Sequence, residues 1–116
     1  MYRQGDVLLE RVDSLPSREE TKESLLVRGE GRNHGHFIKG DSIQILAAEE
    51  KELSEGGGII TQYLDLRSEA ELEHLLIDSR QWTKEHAPII IPPGKYRVIK
   101  QREFNPYSKA IRAVRD

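Results

Sequence analysis

Apolar residues in this chain fall in short runs of period two, separated by polar and glycine-rich stretches roughly every ten residues. That spacing points to strands. Val7 to Val12 sets Val7 and Leu9 against Leu8, Glu10 and Val12. Leu25–Val27 and Ile43–Ala48 are two further short candidates. In "GIITQYLDL", Gly58 to Leu66, Ile60, Gln62, Leu64 and Leu66 alternate with Ile59, Thr61, Tyr63 and Asp65, and the β-branched and aromatic content favours a strand. Ile89–Ile91 and Tyr96–Gln101 complete the set. The "PPGK" between them carries proline and glycine in the order a type II reversal prefers.

The segment "RSEAELEHLLIDSRQWTKEHAP" supports two readings. Ser68 with Glu71 has the capping-box pattern, and Leu72, Leu75 and Leu76 fall at helical spacing. Yet Leu72, His74 and Leu76 also alternate with Glu71, Glu73 and Leu75, as in a strand. Asp13 to Ser24 and Glu49 to Gly58 read as mobile loops, and Pro106 to Asp116 as a short helix or a last strand. About six to eight short strands in one chain predict an all-β fold, or a mostly β fold with one short helix, arranged as a small β-barrel or β-sandwich. At 116 residues the chain predicts a single domain spanning 1–116.

The chain has no cysteine, which excludes disulfides, thiolate metal sites and thiol nucleophiles. The N-terminal apolar run is too short for a signal peptide, and no run approaches the roughly 18 residues of a membrane span, so a soluble cytoplasmic protein is expected. The net charge of -2 hides an asymmetry: residues 95–116 carry +5, and residues 1–94 carry -7. A basic segment on an acidic body suits a small anionic ligand, or it docks on that body. Nucleic acid is a less favoured partner, because no basic stripe interleaves with aromatics.

Chemistry concentrates in "GRNHGHFIKG", Gly31 to Gly40, where His34 and His36 stand one residue apart. On a strand both imidazoles point to one face, where they can share a metal or divide orienting and proton-transfer roles. Glu30 is near enough to return to them through a turn. "KEHAP" adds Glu85 and His86 just before a strand, and His74 is a further candidate from the preceding element. Without cysteine, a Zn, Mn, Fe or Ni site would draw on this imidazole and carboxylate set. In "KQREFNP", Gln101 and Glu103 share one face of an extended chain with Arg102 opposite, and Arg102 is either an ion-pair partner or a bidentate clamp for an anion. The phosphate-loop, dinucleotide, HExxH and GxSxG patterns are all absent.

Two resemblances rest on these residues. His34 and His36, with Pro92 and Gly94 of "PPGKYR", resemble the HxH and PxG elements of cupins, which implies a cupin-like barrel. Here Arg28 stands at the expected glycine, Asp41 at the glutamate and Arg97 at the third histidine, so the resemblance implies altered ligands. The ensemble "RQGDVLL", "GEGRNHGHF", "EHAPIIIPPGKYRVIKQREF" and "IRAVRD" is similar, over nearly the whole chain, to an uncharacterised group of small bacterial and phage proteins. That similarity implies Glu30, His34, His36, His74, Glu85, His86, Gln101, Arg102 and Glu103 as signature positions. Asn33, Gly35, Phe104 and the longer stretch from His74 to His86 depart from it.

The residues thus support a pocket in which His34, His36 and His86 hold a divalent metal or exchange protons. Glu30 or Glu85 acts as base, Arg102 or Arg97 binds an anionic group, and the reaction is a metal-assisted or His-mediated hydrolysis. The alternative is a noncatalytic module that binds a nucleotide, nucleic acid or protein through the basic C-terminal segment. Convergent histidines favour the first reading, and separated histidines with a continuous basic surface the second.

Overall fold

The computed structural model describes residues 1–28, 33–50 and 52–101. Glu30, Arg102, Glu103 and the segment Pro106 to Asp116 lie outside the described residues. Ten strands follow in chain order: β1 (Tyr2–Gln4), β2 (Val7–Arg11), β3 (Glu20–Thr21), β4 (Leu25–Arg28), β5 (His34–Gly40), β6 (Ile43–Ala47), β7 (Ile59–Leu66), β8 (Ala70–Leu76), β9 (Ile89–Ile91) and β10 (Gly94–Lys100). They form two antiparallel sheets, one in the order β1-β2-β10-β7-β6-β3 and the other β4-β5-β8-β9. The sheets are not closed into a barrel, and no helix occurs among the described residues, so the all-β class holds in its sandwich form. None of the described residues forms a helix long and apolar enough to cross a membrane.

The main core lies between the sheets. Val7 and Leu9 of β2, Tyr96 and Val98 of β10, and Leu64 and Leu66 of β7 meet Ile38 of β5, Ala70 and Leu72 of β8, and Ile91 of β9. The larger sheet is buried on its other face as well, where Leu8, Leu46, Ile60, Tyr63 and Ile99 pack with Leu15 and Ala48 from the connections. Strict alternation would put Ile60 beside Leu64 and Leu66, but it packs on the opposite face. The register moves from Val98 opposite Gln62 to Ile99 opposite Ile60, which leaves Thr61 as the extra residue of a β-bulge that reverses the side on which Ile60 emerges.

Two further expectations need correction or decision. The segment from Ala70 to Leu76 is a strand, because its backbone groups are taken by β5 on one side and β9 on the other. "PPGK" does not close a hairpin: Ile91 pairs with Ala70 in the smaller sheet, whereas Gly94 pairs with Leu66 in the larger. The two prolines therefore carry the chain across the sandwich. Tyr96 pins this corner by donating its hydroxyl to Pro92 O at 2.7 Å, and it accepts a hydrogen bond from Arg11 Nη2 at 3.0 Å. Gly94 takes φ 155°, which side chains rarely adopt, and a Cβ there would sit 3.1 Å from the Arg11 guanidinium, which would have to give way.

Candidate metal centre

The row of side chains that forms the inner face of β5 and β8 changes character along its length. Ile38 lies opposite Leu72 within the apolar core, and the next pair along, His36 opposite His74, is imidazole on imidazole. One end of the space between the sheets is thus polar, although His36 is only 3% and His74 5% exposed. His34 extends the row by one more pleat.

The connection from β8 to β9 folds back to meet this row. Leu76 N donates to Gln81 O and Thr83 N to His74 O, while Trp82 bridges to Leu75. Arg80 and Lys84 take left-handed φ values of 61° and 67° to allow the reversal. Asn33 anchors it, accepting from Ile77 N on its carbonyl and from Asp78 N on its side chain. Glu85 and His86 are delivered in this way: His34 Nδ1 lies 3.6 Å from Glu85 Oε2, and the His86 ring centroid is 4.9 Å from that of His74. The other ring pairs complete the cluster, with His36–His74 at 4.6 Å, His34–His74 at 5.4 Å and His36–His86 at 6.1 Å. All four histidines converge. One ligand atom each from His34, His74 and Glu85 lie within 4.8 Å of one another, the spacing of groups that can hold a single ion.

The hydrogen bonds fix which nitrogens are available. Gln4 donates both amide hydrogens, to Leu72 O at 3.0 Å and Ala87 O at 2.8 Å, so its Oε1 must be the atom 2.8 Å from His36 Nδ1. His36 Nδ1 therefore carries the proton, and Nε2 keeps its lone pair. Similarly, Thr83 Oγ1 donates to His74 O at 3.3 Å and accepts from His74 Nδ1 at 2.5 Å, which frees Nε2 of His74. Outer groups that hold one imidazole nitrogen and present the other are the usual support of a metal site. Burial, reinforced by the neighbouring His36 and His86 imidazoles, pushes His74 down to about 4. Asp6 Oδ1 faces the free nitrogen of His36, 3.5 Å from Nε2, too long for a charge-assisted hydrogen bond.

The other expected residues lie elsewhere. Arg97 sits directly opposite both Tyr63 and Glu10, on the outer face of the larger sheet, and is ion-paired with Glu10. Gln101 reaches the site through its backbone, its N–H donating to Asp6 O at 2.8 Å. Gln4, Gly5, Asp6 and Thr83 were not foreseen as site residues. A signal for the first three was present: Gly-Asp just before the apolar run Val7–Leu9 is a two-residue turn pattern, and Gly5 adopts φ 60° there. A Cβ at Gly5 would fall 3.0 Å from His86 Nε2 and 3.5 Å from His36 Cε1, so the turn closes directly over both rings.

No curated protein and no solved structure matches the chain. A family model matches residues 3–101; it is described as a domain of unknown function, DUF8820.

Proposed function

We propose, for a chain that belongs to the DUF8820 family, that the histidine cluster holds a divalent transition metal, of the Zn, Mn, Fe or Ni type, and supports metal-assisted hydrolysis of a small anionic substrate. The observation that carries this reading is the approach of His34, His74 and Glu85 to within 4.8 Å at their ligand atoms. Two imidazoles and a carboxylate suit such ions, and three protein ligands leave positions open for water and substrate, as catalytic sites do. A cation bound there would supply Lewis acidity and lower the pKa of bound water. The protein's part is to hold His34 and Glu85 at the mouth, where they are partly exposed, and His74 at the buried floor, with its free nitrogen selected by Thr83.

The test is metal analysis of untagged protein, followed by titration with Zn²⁺ and Mn²⁺ and a survey of chromogenic ester and phosphoester hydrolysis. His74→Ala and Glu85→Gln are expected to weaken binding at this position by at least about tenfold, the usual scale for losing a supporting or ligating group. Absence of binding by the folded wild type would overturn the reading. Binding without metal-dependent hydrolysis of any ester or phosphoester would overturn its catalytic half.

A further inference from the structure

Asp6, His36 and His86 are not used by the ion just described, and His36 with Asp6 repeats one edge of its geometry. The His36 Nε2–Asp6 Oδ1 separation of 3.5 Å repeats the 3.6 Å between His34 Nδ1 and Glu85 Oε2. Both distances are long for charge-assisted hydrogen bonds, which run at about 2.7–2.9 Å. They match the edge of a tetrahedron of metal–ligand bonds of about 2.0–2.2 Å, an edge of roughly 3.3–3.6 Å. His36 is also a ligand prepared in advance: it is buried, Gln4 occupies its Nδ1, and its lone pair is on the side of Asp6. His86 Nε2 lies above Gly5, next to Asp6 in the chain.

We infer that Asp6, His36 and His86 form a second cation position, making the centre a two-metal site; this rests on the reading of His34, His74 and Glu85 as the first. The two sets are in contact, His74 standing between them with its ring 4.6 Å from that of His36 and 4.9 Å from that of His86. Two-metal hydrolytic sites place their ions about 3.5–4 Å apart. Charge then accounts for an anionic substrate without help from Arg97. Imidazoles that ligate a metal are uncharged, so with Asp6 and Glu85 the ligand set sums to -2; one divalent ion neutralises it and a second leaves it at +2. The surplus replaces the clamp that Arg97, bound to Glu10 on the other side of the larger sheet, does not supply. The substrate class is one whose oxyanion bridges two cations, a phosphoester before a neutral ester.

The experiment is native mass spectrometry and Mn²⁺ titration of the untagged full chain, with electron paramagnetic resonance of the loaded protein. Two equivalents and an exchange-coupled Mn²⁺ signal are expected. Asp6→Asn and His86→Gln should each retain one equivalent with the signal of an isolated ion, and Glu85→Gln should retain the other equivalent. One equivalent in the wild type, unchanged by Asp6→Asn, would overturn the second position and leave the first standing. Two equivalents that persist in both folded Asp6→Asn and His86→Gln would also overturn it, by placing the second ion elsewhere. No bound ion in the wild type overturns both readings.

Discussion

Gln4 has both amide hydrogens committed to the carbonyls of Leu72 and Ala87 and its oxygen to His36, so methionine in its place removes three hydrogen bonds while keeping most of the volume. A buried polar group left without a partner costs about 1–3 kcal/mol, and Leu72 O and His36 Nδ1, both on buried residues, are exposed to that cost here. Gln4→Met is therefore expected to lower unfolding free energy by at least about 2 kcal/mol, measured by urea denaturation. It should also release the tautomer of His36. Long-range ¹H–¹⁵N spectra of the imidazoles should show Nδ1-protonated His36 in the wild type and a mixture in the variant; an unchanged tautomer would refute the role assigned to Gln4.

Among the elements, the outer face of β7 offers a separate titration. Tyr63 hydrogen-bonds Glu52 from the connection that crosses this face, and Arg18 bonds the same carboxylate while its guanidinium lies 6.0 Å from the Tyr63 ring centroid. Burial and the neighbouring carboxylate push Tyr63 from its ordinary 10.0 up to about 12. Because the folded value is the higher, the folded state holds the phenolic proton more tightly. That contribution is complete below pH 10 and is lost as the pH rises through about 12. Burial raises Glu52, but the hydrogen bonds from Tyr63 and Arg18 outweigh it and hold the group below 4.5, so its contribution is complete above pH 4.5 and lost as the pH falls through the lowered value. Tyr63→Phe should flatten the alkaline decline in urea midpoint between pH 10 and 12; a decline as steep as in the wild type would remove Tyr63 as its source.

These elements also show what local sequence could reveal. β2, β4, β6, β7, β9 and β10 were legible because alternation or a β-branched run persists within each. Ala70–Leu76 was ambiguous because its leucines fit both periods, and partners far away along the chain in β5 settle it. Ser68, which looked like a helix cap, has its hydroxyl buried without a hydrogen-bond partner among the described residues. The bulge at Thr61 and the crossing at Pro92–Pro93 were hidden for the same reason, since each is defined by which strand lies alongside. At the site, His34, His36, Glu85 and His86 stood out by residue type. Gln4 and Asp6 did not, because an amide and a carboxylate become informative only when something faces them.

For the whole molecule, the sandwich places its polar end where four distant segments meet: residues 4–6, 34–36, 74 and 83–86. Gln4 alone ties to Ala87, 83 positions away, and β2 lies against β10. Contacts of such separation form only after the intervening chain has been closed, which makes topologies of this kind slow to fold. A cation that binds the cluster would therefore meet its site only late on the folding route. Metal should leave the refolding rate nearly unchanged and slow unfolding instead, as for interactions absent from the transition state. Stopped-flow traces of Trp82, the single tryptophan, whose indole donates to His86 O at 2.9 Å, would follow both limbs; metal-accelerated refolding would mean that the cluster assembles early. Occupancy would then act on the lifetime of the folded chain, so that scarcity of metal shortens how long each molecule lasts without changing how readily a new one forms.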